Sequence, residues 1–270
     1  MPTFERGPAV IHYTDTGVPA RHPHAATVFF GHGLLFGGWM FRAQIAALRD
    51  RYRCVAIDWR GQGESVATAS GYDMDTLTDD ASALIGVLGV GPVHYVGLSM
   101  GGFVGQRLAA RHGELVRTLT LLDTSATAED PDKARRYRLM AKIYRLTGIS
   151  PLRGTVQPLM FGPAFLADPI SKPVTDEWAR RLRRCRRSGI SKTVRAVADR
   201  AGVEQELEAI TAATLVIVGA DDPATPPVKS EHIAERISGA RLVQIPDCGH
   251  SSTLEQPETV SALLAEFLDQ

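Results

Sequence analysis

Cysteine is scarce in this chain: three residues in 270, Cys54, Cys185 and Cys248. Three cysteines cannot form a disulfide framework, and none sits in a C-x-x-C pair. They read as reduced thiols, so a cytoplasmic protein is expected. An excess of one charge is also missing, because 30 Lys and Arg offset 30 Asp and Glu. A chain with no net charge has no global attraction to nucleic acid or to a membrane surface, so neither is expected as a partner. No apolar run approaches the roughly 20 residues that a membrane helix needs. The opening residues, Met1 to Gly7, hold no apolar segment of the signal-peptide kind, so no secretory leader is expected. Internal repeats and low-complexity tracts are absent. So are the H-E-x-x-H, P-loop and G-x-G-x-x-G patterns, and neither a metal nor a nucleotide nor any other cofactor is expected.

What remains is an ordinary globular composition, 44% hydrophobic and 22% charged, long enough to bury one large core. Short β-rich runs alternate with longer helical ones, which predicts an α/β fold with a mostly parallel central sheet flanked by helices. The expected strands are Ala9–Asp15, Thr27–Phe30, Cys54–Asp58, Val93–Gly97, Val116–Leu122, Leu215–Val218 and Leu242–Ile245. Helices are expected over Met74–Leu88, Phe103–His112, Val228–Ile237 and Pro257–Leu268. Met74–Leu88 places Leu77, Ala81, Leu84, Ile85 and Leu88 on one stripe. Residues 128–207 break the alternation, being helical in composition with several prolines and no convincing strand. They are expected to form a helical cap inserted into a core made of 1–127 and 208–270.

The chemistry centres on Gly97-Leu98-Ser99-Met100-Gly101-Gly102. A strand that turns sharply into a helix can present a serine at its tip. The turn strains the backbone at the serine and needs tiny neighbours, which Gly97 and Gly101 supply. G-x-S-x-G alone is a weak signal, but here a strand-like run precedes it and a helical run follows. A serine nucleophile needs a base. Of the eight histidines, only His250 lies in a loop just past a late strand, at the sheet edge where Ser99 also ends. An acid must orient the imidazole. Leu215–Gly219 runs into Ala220-Asp221-Asp222-Pro223, and the order serine, acid, histidine suits this fold. Only one of the adjacent pair can serve. Asp222 is favoured, Asp221 being a solvated or turn-capping carboxylate, and Asp247 is a distant third. For the oxyanion, the backbone N–H of Met100 is one expected donor, and that of Leu34, after His32-Gly33, is the other, with Leu35 as the alternative.

Together these residues resemble the α/β-hydrolase superfamily. The matching pieces are His32-Gly33, Asp58-Trp59-Arg60-Gly61-Gln62-Gly63-Glu64-Ser65, Gly97–Gly102, Gly219–Pro223 and Gly249-His250. In that superfamily the aspartate just before proline, here Asp222, is the triad acid. Within it the chain is similar to small bacterial esterases and lactonases, including the 3-oxoadipate enol-lactonase group. The resemblance implies an α/β-hydrolase fold and acyl-enzyme cleavage of a small-molecule carboxylic ester or lactone. Serine at the nucleophile position separates the chain from relatives that use aspartate there.

The same triad serves two other reactions, hydrolysis of a carbon–carbon bond in a diketone-like substrate and peracid formation. A ligand-binding protein that kept the fold and lost turnover is the remaining rival. His32, Trp39, Met140 and Tyr144 are the expected substrate contacts. Trp39 and its neighbour Phe36 are equally suited to pinning the first helix, and Met140 and Tyr144 to filling a core. The run from Trp178 to Arg187 puts Trp178, Leu182 and Cys185 on one stripe and six arginines elsewhere. Those arginines read as a solvated face, or alternatively as a contact for an anionic substrate or partner.

Overall fold

The β-rich runs assemble into one sheet. The computed structural model describes residues 2–269. Its strands are β1 (Thr3–Arg6), β2 (Ala9–Asp15), β3 (Thr27–Gly31), β4 (Arg53–Ile57), β5 (Val93–Leu98), β6 (Val116–Leu122), β7 (Ala213–Gly219) and β8 (Arg241–Ile245). They lie side by side in the order β1-β2-β4-β3-β5-β6-β7-β8. β2 runs antiparallel to both of its neighbours, and every pairing from β4 across to β8 is parallel. β3 and β5 are buried at every position, as strands covered on both faces must be, which is why they read as unbroken apolar runs. β1 was not among the expected strands. It is a four-residue edge with two charged residues in its sequence TFER, too short and too polar to leave a periodic signal.

The helices are α1 (Arg42–Leu48), α2 (Met74–Leu88), α3 (Met100–Arg111), α4 (Pro131–Thr147), α5 (Arg153–Met160), α6 (Pro163–Ala167), α7 (Ser171–Arg184), α8 (Arg187–Ala198), α9 (Pro227–Arg236), α10 (Ser252–Glu255) and α11 (Pro257–Leu268). Adjacent residues in a strand point to opposite faces, so the sheet has two cores. Phe30 packs with Leu48 of α1 and with Val260 and Leu264 of α11. Phe29 packs with the stripe of α2 and with Val104 and Leu108 of α3. Among the described residues none is long and apolar enough as a helix to cross a membrane.

Between β6 and β7 the described chain builds α4 to α8 and no strand. Trp178 and Phe161, both fully buried, hold this insertion to the loop after β3. Their rings lie 5.9 Å apart, and Phe36 stands 6.1 Å from Phe161 and 6.4 Å from Trp178. Phe36 therefore joins insertion to core.

The loop after β4 is anchored by a buried ion pair. Arg60 donates from Nε and Nη2 to the Asp80 carboxylate of α2 at 2.6 and 2.8 Å, and Arg6 adds a bond at 3.0 Å. Removing one partner of such a pair strands the other charge out of water. Asp80→Ala is accordingly expected to cost about 3–5 kcal/mol and to lower the melting midpoint by roughly 10 °C. Calorimetry giving an unchanged midpoint would mean that Arg60 does not depend on this anchor.

Candidate active site

Ser99 occupies the single residue between β5 and α3, with φ 52° and ψ −111°. Residues with side chains avoid that region unless their surroundings hold them there. The restraints are visible. The Ser99 N–H donates to the Leu122 carbonyl at 2.8 Å, and its carbonyl accepts from Phe103 N–H at 3.0 Å and from Thr124 Oγ1 at 2.8 Å. The glycines are dictated by contact: a Cβ on Gly97 would overlap the Gly101 carbonyl oxygen, and one on Gly101 would overlap that of Gly31.

The loop after β8 brings His250 to this serine, with Nε2 3.0 Å from Ser99 Oγ. Its Nδ1 lies 2.8 Å from Asp222 Oδ2. Asp222 is buried and Asp221 is exposed, so of the two adjacent carboxylates Asp222 meets the ring. Asp247 is exposed too. Asp222 is itself held: Oδ1 accepts from Ala224 and Thr225 N–H at 2.8 and 3.0 Å, and Oδ2 accepts from Thr225 Oγ1 at 2.7 Å. Burial works to lower the His250 pKa, but the charge and hydrogen bond of Asp222, with Asp123 and Glu255 further out, raise it above the ordinary imidazole value.

Sequence reasoning missed Asp123 and Glu255, which carry the loops around the imidazole. Asp123 directly follows β6 with φ 45°. It accepts from Gly219 N–H at 2.9 Å and from Ser252 Oγ at 2.5 Å, tying the end of β7 to the segment just past His250. Burial, then the nearby Asp222 charge, pushes its carboxyl upward. Glu255 accepts from Gly249, Ser251 and Gly162 N–H at 2.8, 3.0 and 3.0 Å, tying the histidine loop to the insertion. The available signal for Asp123 was its place at the carboxyl end of a central strand, beside the strand that delivers Ser99.

The glycine-rich loop after β3 lies against the elbow, since a Cβ on Gly33 would stand 3.5 Å from that of Ser99. The Leu35 N–H is taken by Gln62 Oε1 at 2.7 Å, while Leu34 N–H has no protein acceptor among the described residues. Met100 is the first residue of α3, where N–H groups lack intrahelical partners. Leu34 and Met100 are thus the free donors beside Ser99, and Leu35 is not. Gln62 and Asp58, which accepts Gly38 N–H at 2.6 Å, fix this loop from the one after β4.

Two expected substrate contacts are corrected. His32 is fully buried and lines no cavity at Ser99. Its Nδ1 bonds the Gly33 carbonyl at 2.7 Å and its Nε2 accepts from Trp59 N–H at 3.0 Å, so both nitrogens are spent on the scaffold. Burial lowers its pKa, which keeps the ring in the neutral form that this pairing needs. Trp39 lies in a separate cleft with Arg42, Asp58 and Cys185, its indole 5.0 Å from the Arg181 guanidinium and 5.8 Å from that of Arg42. Met140 and Tyr144 do line the cavity over Ser99 and His250, together with Leu34. Of the six arginines from Arg180 to Arg187, five are exposed, and Arg181 pairs with Glu177 at 2.8 Å. None lines that cavity.

Comparison with known proteins agrees with this fold. The family described as alpha/beta hydrolase fold matches residues 26–257. The chain is 29% identical over 232 residues to 3-oxoadipate enol-lactonase 2 of Acinetobacter baylyi, covering 84% of each. Its fold superposes on the enol-lactonase of Burkholderia xenovorans LB400 with a TM-score of 0.91 and 27% identity, over 100% of both chains. A thermophilic esterase from Thermogutta terrifontis gives a TM-score of 0.88 and 28% identity, over 97% of this chain and 93% of the esterase.

The His250 pairing has a direct readout. Titration of its ring by NMR is expected to give a pKa above that of free imidazole, because the adjacent carboxylate stabilises the charged form more than burial opposes it. In Asp222→Asn that charge is gone, burial dominates, and the midpoint is expected to fall below the wild-type value. Identical midpoints in the two proteins would contradict the pairing.

Proposed function

This chain belongs to the alpha/beta hydrolase family, and from that membership we propose that it is a serine hydrolase of small-molecule carboxylic esters or lactones. The observation that carries the reading is the unbroken relay from Ser99 Oγ to His250 at 3.0 Å and from His250 to Asp222 at 2.8 Å. It stands at the tip of a strained turn, beside two unpaired N–H groups. The names of the esterase and enol-lactonase relatives support the same class.

In this reading His250 accepts the Ser99 proton as Oγ attacks the substrate carbonyl carbon. The Met100 and Leu34 N–H groups hold the oxyanion, aided by the positive end of α3. Protonated His250 gives its proton to the leaving alkoxide, and the acyl group stays on Ser99. Water, deprotonated by His250, then attacks the ester and releases the acid. Asp222 holds the ring in the tautomer that keeps Nε2 facing the serine and stabilises the imidazolium. Asp123 and Glu255 act as positioning residues for the acid and histidine loops. The segment 128–207 is the cap that covers the site and shapes the substrate cavity, over a core of 1–127 and 208–270.

Three measurements test this. Against p-nitrophenyl esters, lactones and diketones, wild type is expected to cleave the first two. Ser99→Ala should lose at least about 10³-fold in kcat and all labelling by a fluorophosphonate probe. A folded wild type that the probe does not label would sink the proposal, and faster diketone cleavage would move it to carbon–carbon bonds. The rate should rise with pH as the imidazole loses its proton, with a midpoint above that of free imidazole. A flat profile from pH 5 to 8 would count against His250 as base. Gln62→Leu frees the Leu35 N–H and loosens the oxyanion loop, so kcat should fall on the order of 10-fold or more with KM little changed. A change in KM alone would assign Gln62 to substrate binding.

A further inference from the structure

The cavity over Ser99 has a chemistry that the relay does not explain. Leu34, Phe103, Met140, Ile149, Val156 and Val194 form much of an apolar wall. Its ionisable side chains, among the described residues, are His250, Tyr137, Tyr144 and one carboxylate, Glu129. No lysine or arginine lines it. Along the wall away from His250, an anionic group would therefore leave water for apolar surface with no lysine or arginine to receive it, which is a costly transfer.

The cation paired with the cavity's carboxylate is already engaged. Arg200 donates from Nη1 to Glu129 Oε2 at 3.0 Å and to the Val197 carbonyl at 2.9 Å. Its guanidinium stands 4.2 Å from the centre of the Phe103 ring. It is almost wholly buried, with 3% of its side chain exposed, and it does not reach the cavity wall. Glu129 does reach the wall, so the end of this ion pair that faces a substrate is the negative one. Apart from His250, the remaining polar side chains there are hydroxyls. Burial, followed by the charge of Glu129, pushes the Tyr137 phenol up to about 12, so it keeps its proton at ordinary pH. That hydroxyl has no hydrogen-bond partner among the described residues, whereas the Tyr144 hydroxyl donates to the Leu182 carbonyl at 3.2 Å.

We propose that this cavity selects substrates with an uncharged acyl portion, apolar along most of its length, and that Glu129 is the specificity residue that turns away carboxylate-bearing acyl groups. The Tyr137 hydroxyl offers one neutral hydrogen bond to such a substrate. The inference rests on the ester-hydrolase reading and narrows it. It also separates the inner cavity from the exposed arginines between Arg180 and Arg187, none of which lines it.

The test compares two esters that differ in charge and little else: p-nitrophenyl hexanoate and the mono-p-nitrophenyl ester of adipic acid. With the full chain, kcat/KM is expected to favour the neutral ester by about 100-fold, since like charges in a poorly hydrated cavity add to the desolvation penalty. Glu129→Gln keeps the shape and removes the charge, which leaves Arg200 unneutralised. The preference should then shrink at least about tenfold. A wild-type preference under about threefold, or one for the anionic ester, would overturn the proposal. A preference unmoved in a folded Glu129→Gln would overturn the part assigned to that residue. Should that variant not fold, the wild-type inhibition constants of pentylboronic acid and its 4-carboxybutyl counterpart decide, the neutral acid being expected to bind at least about tenfold tighter and equal binding refuting it. Failure to cleave either ester, with no fluorophosphonate labelling, would remove the hydrolase reading itself; equal cleavage of both removes only the charge selection.

Discussion

Ser99 can stand where it does only because three pieces of backbone touch with no side chain between them. The carbonyls of Gly101 and Gly31 fill the space where side chains on Gly97 and Gly101 would go. This contact lets β5 turn into α3 within one residue. It costs the serine a backbone angle that residues with side chains avoid, and the hydrogen bonds that it donates to Leu122 and accepts from Thr124 and Phe103 offset that strain. The rest of the site is arranged around a point that the backbone has already fixed. Asp222 and His250 come from loops that leave the neighbouring strands β7 and β8. The His32-Gly33 loop leaves β3, which lies directly beside β5.

A second layer keeps those loops in register. Asp123 joins the end of β7 to the segment after His250, Glu255 joins the histidine loop to Gly162 of the insertion, and Gln62 and Asp58 hold the loop after β3. Each uses a side-chain oxygen to satisfy a backbone N–H that would otherwise be buried without a partner. Arg60 and Asp80 then fix the loop that carries Gln62 and Asp58. The distances at the serine are thus the outer end of a chain of bonds running back to α2. Gln62, at the end of that chain, occupies the Leu35 N–H and leaves that of Leu34 without an acceptor among the described residues.

The parts readable in the sequence were those with a local signature. Strand and helix periodicity located the sheet from β2 to β8, and the glycine spacing around Ser99 located the elbow. His250 stood out because one loop position after a late strand differs from every other histidine context. What escaped notice was set by long-range contact. His32 follows a strand next to the nucleophile, yet its ring is consumed by Trp59 and Gly33, and only the packed loop shows that. Trp39 is three residues beyond Phe36 in the chain and its ring lies 5.8 Å from that of Phe36, yet both line a cleft other than the one over Ser99. Asp123 has no flanking motif, since its role is to meet Gly219 and Ser252 from far along the sequence. β1 was invisible because an edge of four residues needs only one neighbour.

Burial treats the ionisable groups around His250 unequally, and that inequality gives the site its polarity. Three carboxylates surround the imidazole, and if all were charged their mutual repulsion would be severe in a dry interior. Asp222 contacts the ring and accepts three further bonds, two from N–H groups and one from a hydroxyl. Asp123 and Glu255 are pushed upward, by burial first. Burial thereby disfavours charge on these two, while Asp222 Oδ2 is the oxygen that faces Nδ1. On the opposite side of the ring, toward Ser99 and the cavity, the free partial charges are positive: two N–H groups and the start of a helix. In the mechanism proposed above, an imidazole held between the Asp222 carboxyl group and a cluster of donors moves a proton from the serine without rearranging its surroundings, which is what separates this arrangement from a histidine and a serine that merely touch.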